Sequence, residues 1–365
     1  MKKVLILTAG FGEGHNSAAR GIRDGLRKLG GSAVAVELHD LFDEVYGPPN
    51  RWVTAAYLSM IEHAPFVWAR VYKWLDRKKH FHGSFDIFFP VKGYLRRMLA
   101  RTQPDVVVSV YPAYPHLLDD VFGARPTPFR RVIVITDSIT INAIWYRCRT
   151  DYFVLTNEFS RKVLLEAGIE PERAKTIGFP VSPVFTDFTA PREPPSRQNG
   201  QRVLFIVNSQ RSAAPDLVRR LAAIPDIELT VTVGRNKRLR RVIEHVRQEG
   251  ARPFRLIGWS DELPRLLHET HLLISKAGGA TVQEAIAAGC PLIINRIVPG
   301  QEEGNARLIA ETKSGEVAPS HDAVIAAVQR AFADDAAVWH QWSENIGRLS
   351  RPAASLELAQ FLLSI

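Results

Sequence analysis

The sequence predicts an α/β protein of two doubly wound domains, each a parallel sheet covered by helices on both faces. Three observations carry that expectation. Short continuous apolar runs alternate with helix-length amphipathic stretches, the pattern of strands buried on both sides. The series occurs twice along the chain. Between the two, residues 186–201 (TDFTAPREPPSRQNGQ) lose all periodicity, with three prolines and no aliphatic side chain larger than alanine, which reads as a linker. A length of 365 residues also exceeds what one hydrophobic core usually organises.

Taken in order, residues 4–7 form the first buried run, and 17–29 carry apolar side chains at helical spacing. Strand-like runs follow at 33–38, 106–110, 132–135 and 152–155, with a helical stretch at 158–167. In the second series, 203–207, 229–233, 255–257, 272–274 and 292–294 read as strands, and 214–221, 238–249 and 281–288 as helices. Beyond Asp322 the pattern is helical to residue 365. The expected division is 1–185, a linker at 186–201, 202–340, and a helical tail at 341–365.

Composition narrows the class. No apolar run approaches the ~18 residues of a membrane-spanning helix. The opening Met1-Lys2-Lys3 is followed by only four apolar residues, too few for an export signal, so a cytoplasmic compartment is the expectation. Two cysteines, Cys148 and Cys290, exclude a disulfide framework and a paired Cys-x-x-Cys zinc site. The formal net charge of +9 points to a polyanionic partner.

That charge is concentrated. Residues 51–100 hold 11 of the 33 aromatic side chains and nine Lys/Arg against three Asp/Glu. Trp68 and Trp74 are interleaved there with Lys73, Arg77, Lys78 and Lys79. Aromatic rings with polar tips suit a headgroup layer, and cations meet anionic lipid. A helical insertion whose aromatics fill a local core fits equally, and single-stranded nucleic acid is a third possibility.

Several motifs sit where strands end. Gly10-Phe11-Gly12-Glu13-Gly14-His15 follows the first strand and opens a helix. Its glycines, Gly12 and Gly14 among them, let backbone N–H groups approach a ligand at a helix N-terminus. A dinucleotide fingerprint would want glycine at His15, with Glu37 as its ribose acid. A histidine there should instead stay neutral against the positive helix end and accept a proton from a hydroxyl. Capping the helix is the other role open to it. Asp137 follows the run at 132–136, on the edge where open α/β sheets bind ligands; a turn-forming role is equally open.

In the second half, Lys276-Ala277-Gly278-Gly279-Ala280-Thr281-Val282-Gln283-Glu284 follows a buried run. Gly278 and Gly279 offer backbone N–H groups, Thr281 is expected to cap the coming helix, and phosphate suits that arrangement. Glu284 is expected in the helix's first turn, where it faces two ribose hydroxyls or simply complements the helix dipole. Pro299-Gly300-Gln301-Glu302-Glu303-Gly304-Asn305 pairs amide and carboxylate groups on a loop, which suits a polyhydroxylated ligand. Gly234-Arg235-Asn236-Lys237 adds cations along the same edge.

With these motifs in this order, the chain resembles the monogalactosyldiacylglycerol synthase and processive diacylglycerol glucosyltransferase group of glycosyltransferase family 28. The resemblance rests on Gly10–His15, the Thr136-Asp137 step with Trp145 downstream, Gly234–Lys237, Lys276–Ala285 and Pro299–Asn305. It implies a GT-B fold: two Rossmann-like domains facing across a cleft, the tail returning to the first. It implies an inverting transfer of galactose or glucose from UDP-galactose or UDP-glucose to diacylglycerol. The enzyme would work peripherally at an anionic membrane, on its inner face, with no nucleic acid involved. His15 and Asp137 are implied as acid/base machinery and Glu284 as the ribose acid. Gly278, Gly279 and Thr281 are implied for the diphosphate, with Lys276 and Arg235 nearby. Gln301, Glu302 and Asn305 are implied for the donor sugar.

Two positions depart from the group. Asn142 stands where members with plant-like spacing carry a histidine. The usual glycine-rich loop reads Asn208-Ser209-Gln210-Arg211-Ser212, so Arg211 would meet phosphate in place of backbone N–H groups. No Asp-x-Asp cation signature is present, so no metal cofactor is expected and leaving-group charge falls to helix N-termini and cations. Transfer to another acceptor, such as a polyprenyl-linked saccharide or a secondary metabolite, and a non-catalytic UDP-sugar-binding protein are the alternatives.

Overall fold

The structure, a computed structural model, describes residues 1–63, 70, 86–188, 190–196, 200–208, 212–250, 252–300 and 302–365. Trp68, Lys73, Trp74, Arg77, Lys78, Lys79, Arg211 and Gln301, expected as membrane and donor contacts, lie outside the described residues. Contacts divide the chain into two units: residues 1–183, 298–304 and 351–365 form the first, and 184–297 with 305–350 the second.

The first unit carries a six-stranded, all-parallel sheet of order β2-β1-β3-β4-β5-β6. Its strands are β1 (Lys2–Thr8), β2 (Val34–Asp40), β3 (Val106–Ser109), β4 (Arg130–Val134), β5 (Tyr152–Leu155) and β6 (Ala174–Thr176). Apolar runs marked all but β6, whose Ala-Lys-Thr carries no such run and which pairs only with β5. Around the sheet lie α1 (Glu13–Gly30), α2 (Leu41–Tyr46), α3 (Pro48–His63), α4 (Phe89–Thr102), α5 (Ala113–Phe122) and α6 (Glu158–Glu166). Helix α1 buries Ala18, Ala19, Ile22 and Leu26 completely, one face at helical spacing. Each large aliphatic buried this way contributes ~1.5–3 kcal/mol. Strand order reverses between β1 and β3, and ligands bind at such switch points beyond the carboxyl ends of the strands.

The second unit has its own parallel sheet, β12-β11-β10-β7-β8-β9. It consists of β7 (Gln201–Ile206), β8 (Ile227–Thr232), β9 (Arg255–Ile257), β10 (Leu272–Lys276), β11 (Leu292–Arg296) and β12 (Gly315–Val317). The helices are α7 (Ala214–Ala222), α8 (Lys237–Gln248), α9 (Leu263–Glu269), α10 (Gly279–Ala287), α11 (Glu303–Glu311) and α12 (His321–Leu349). Here the order reverses between β7 and β10. Helix α12 is broken at residues 333–336, where Asp334, Asp335 and Ala336 all take positive φ. After the break, the Trp339 indole N–H donates to the His271 carbonyl at 2.7 Å.

Arg192 anchors the connecting segment. It donates to the carbonyls of Leu267 and His268, and to those of Ala288 and Gly289. These lie at the carboxyl ends of α9 and α10, so one guanidinium satisfies orphan carbonyls and opposes the negative poles of two helices.

Residues 341–349 complete α12 in the second unit, and the tail in the first unit is 351–365. Its helix, α13 (Ala354–Ser364), packs on α1 where α1 has no side chain. A Cβ at Gly25 would lie 2.4 Å from the Ser355 carbonyl oxygen, and one at Gly21 would lie 1.8 Å from that of Pro180. Among the described residues no helix is long and apolar enough to cross a membrane.

Candidate active site

The glycine turn after β1 is held from below by Asp40, the last residue of β2. One carboxylate oxygen of Asp40 accepts the Gly10 N–H at 2.7 Å. The other accepts Phe42 and Asp43 N–H at 3.1 and 3.0 Å, capping α2. Burial pushes the Asp40 pKa up, against the pull of those N–H groups. Tyr114 ties the same layers together, donating to the Thr8 carbonyl at 2.7 Å and accepting the Leu41 N–H at 3.1 Å. Gly12 caps α1 at φ 139°, a conformation in the left-handed half of the map that favours glycine. Helix α1 starts at Glu13, before the apolar periodicity sets in, so Gly14 and His15 lie in its first turn.

His15 is buried beside three groups. Its Nδ1 is 3.2 Å from the Thr136 hydroxyl. Tyr111, from the loop after β3, presents its ring edge-on at 5.2 Å and 87°, and the Trp145 ring is 5.9 Å away. Burial lowers the His15 pKa to about 4, while the Val110 backbone pulls the other way. The ring is neutral as expected, but desolvation heads the causes, not the helix end.

Asp137 lies past the end of β4 and is partly exposed. Its Oδ2 accepts the Trp145 indole N–H at 2.8 Å. Trp145, 2% exposed, therefore lies against both His15 and Asp137. Sequence reading placed the tryptophan in the motif without its function. The signal was a ring with one donor, eight residues after a carboxylate. Asn142 caps the short turn carrying Trp145, accepting the Ile144 N–H at 3.1 Å. Glu37 is committed elsewhere, to His39 and Arg101 at 3.0 and 3.1 Å, which removes it as a ribose acid.

Residues 298–304 belong to this unit. Glu302 is buried, and its Oε2 accepts the Val298 N–H at 3.0 Å, closing its own loop.

In the second unit the switch point gathers the other motifs. Asn208, after β7, donates to the Ser275 hydroxyl at 3.2 Å and lies 3.4 Å from the Lys276 N–H. Gly278 is the N-cap of α10 and no side chain caps that end, leaving its first N–H groups to a ligand. Gly279 begins the helix, so Thr281 lies inside it and does not cap it. Glu284 falls in the second turn, not the first. This weakens the dipole explanation, because that effect fades beyond one turn. Asn305 donates to the Ala277 carbonyl at 3.0 Å, tying α11 to the same turn. Arg235 lies over the ring of Trp259 at 4.1 Å, and Trp259 is 51% exposed. No motif had marked that aromatic.

The basic, aromatic segment resolves partly. Phe88 packs on Phe42 at 5.2 Å, whereas Trp52, Ile87 and Phe89 are 79%, 76% and 74% exposed. Both the core and the surface reading therefore find residues here.

Comparisons with known proteins agree for both halves. Residues 15–181 match the family model for monogalactosyldiacylglycerol (MGDG) synthase, and 205–338 that for the glycosyltransferase family 28 C-terminal domain. The processive diacylglycerol beta-glucosyltransferase of Bacillus subtilis is 25% identical over 94% of this chain and 90% of its own. A probable monogalactosyldiacylglycerol synthase 2 of Oryza sativa subsp. japonica is 26% identical over 98% and 80%. Among solved structures, Acinetobacter baumannii MurG superposes with a TM-score of 0.65 at 12% identity over the full length of both chains. The UDP-GlcNAc 2-epimerase of Neisseria meningitidis gives 0.60 at 14%, again over both full lengths. The fold is of the GT-B type.

Proposed function

We propose, for a chain that belongs to the monogalactosyldiacylglycerol synthase group of glycosyltransferase family 28, that it moves a hexose from a UDP-sugar to the hydroxyl of diacylglycerol. The observation that carries this reading is the cluster of His15, Asp137 and Trp145 at the switch point of the first sheet. A buried neutral imidazole accepts a proton from a hydroxyl; a carboxylate held by an indole N–H stays in place beside it.

His15 Nδ1 stands against the Thr136 hydroxyl at 3.2 Å, and the neutral ring takes the acceptor's proton on its nitrogen lone pair. The acceptor oxygen then attacks the anomeric carbon on the face opposite UDP, inverting it. The growing imidazolium is favoured by the Val110 backbone. Departing diphosphate charge is met by the uncapped start of α10 with Gly278, Gly279 and Thr281, and by Lys276. Glu284 accepts from the ribose hydroxyls. Arg235 on Trp259 supplies a fixed cation beside the nucleotide, and Glu302 shapes the sugar-reading loop that contains Gln301. The exposed Trp52, Ile87 and Phe89 suit a bilayer surface, which supports a peripheral enzyme.

Purified protein incubated with UDP-galactose or UDP-glucose and diacylglycerol vesicles should yield a hexosyl lipid by mass spectrometry. No product with either donor would overturn the reading. His15→Ala should lower kcat by ~10²–10⁴ if His15 is the base. An active His15→Ala beside an inactive Asp137→Asn would exchange the two roles.

A further inference from the structure

The backbone directly after Asp137 is strained and clamped. Ile139 has φ 57°, a conformation that a β-branched residue adopts only when its surroundings force it. The Thr140 N–H reaches back to the Ser138 carbonyl at 2.6 Å, closing a three-residue turn around Ile139. Three polar side chains from the end of β5 and the start of α6 hold the turn. The Ser160 hydroxyl accepts the Ile139 N–H at 3.2 Å. Thr156 bonds the Ser138 hydroxyl at 3.3 Å and reaches the Asp137 carbonyl at 3.5 Å. Asn157 donates to both Thr156 and Ser138.

The outer face of this turn is closed by Gly304, in the same unit. A Cβ at Gly304 would lie 1.7 Å from the Ser138 carbonyl oxygen, 2.5 Å from the Thr140 hydroxyl and 2.8 Å from the Thr140 N. Two of these three atoms are backbone and cannot swing aside. Only glycine permits the approach, although Gly304 sits inside a helix at ordinary φ, where other residues would form it more readily.

We propose that Gly304 and the Ile139 turn are positioning elements for Asp137. Gly304 presses the Ser138–Thr140 backbone into the strained turn and so fixes where the carboxylate meets Trp145. Residues 302–304 are thereby seated on the turn that follows Asp137, so that Glu302 and Asp137 share one rigid support. This inference rests on the transferase reading for its catalytic consequence, but its structural part stands apart from it.

The test uses full-length protein and two variants. Gly304→Ala should lower kcat ten- to a hundredfold, since small misplacements near the reacting atoms cost that much. UDP affinity by calorimetry should stay within about twofold, because the nucleotide residues lie in the other unit. The second readout is the Trp145 indole N–H, assigned among seven tryptophans with Trp145→Phe in ¹⁵N spectra. In Gly304→Ala this signal should shift and exchange faster, while those of Trp339 and Trp342 stay fixed. Ile139→Gly accepts positive φ without strain and keeps the fold, and should loosen the same indole signal and lower kcat. An unmoved Trp145 signal in both variants, or wild-type kcat in both, overturns the proposal. If wild type makes no glycolipid, the transferase reading falls, and the indole signal still decides whether the clamp exists.

Discussion

Acid should weaken this fold in a way that one histidine can be made to report. Burial holds the His15 ring neutral down to a pKa of about 4 in the folded chain, whereas an unfolded chain takes up that proton near 6.5. The unfolded state therefore binds more protons between those values. The stability contributed by His15 is complete above about pH 6.5 and is lost as the pH falls toward 4. The fall from 6.5 to about 4 corresponds to roughly 3 kcal/mol at full loss, most of it gone by pH 4.5. His15→Asn keeps a polar group of similar reach and removes the titration. Urea unfolding followed by tryptophan fluorescence, at about pH 7.5 and 4.5, should show the wild type losing roughly 2–3 kcal/mol more than the variant. The same value bears on catalysis, because a base of that pKa places no acid limb near 6.5 on kcat/KM. Equal acid sensitivity in the two proteins, or a ring titration by NMR centred near 6.5, would refute the reasoning.

Glu284→Ala should weaken UDP binding ten- to a hundredfold by calorimetry, since two ribose hydroxyls lose a charged acceptor worth ~1.5–3 kcal/mol. Arg192→Ala leaves four helix-end carbonyls without their donor and should cost the second unit about 3–5 kcal/mol in denaturant unfolding. Arg192→Lys should recover little of it, because an ammonium lacks the planar fork that spans both helix ends. Replacing Trp52 and Phe89 together with serine should cut vesicle co-sedimentation at least tenfold without lowering Tm, since both rings are already exposed. A fall in Tm with vesicle binding intact would assign them to a core.

Much of the architecture could be read from apolar runs, because central parallel strands must be hydrophobic on both faces. Two of the edge strands could not: Ala-Lys-Thr in β6 and Gly-Glu-Val in β12 carry no apolar run, unlike the edge strands β2 and β9. The glycine-rich motifs located both switch points. Helix starts escaped notice by two to four residues at α1 and α10, because glycines and polar residues open those helices before any apolar periodicity begins. That offset moved Thr281 off the cap and Glu284 out of the first turn. The Ile139 turn and the Gly304 approach were also invisible. Each depends on atoms brought together over long sequence separations, and neither isoleucine nor a helical glycine signals strain by itself.

The contact between α1 and α13 has a consequence for biogenesis. Gly25 leaves a notch that only residues near Ser355 fill, so the first unit is complete only after the second has been made. At ribosomal rates of about 5–20 residues per second, the ~170 residues between Pro183 and Ala354 take roughly ten to thirty seconds to emerge. During that interval the glycine face of α1 is bare on a nascent sheet that is otherwise finished, a surface open to chaperones or to a neighbouring nascent chain. A fragment ending at residue 183 would keep that exposure permanently. A split version of this protein therefore needs the last fifteen residues supplied, in cis or as a separate peptide, to cover α1.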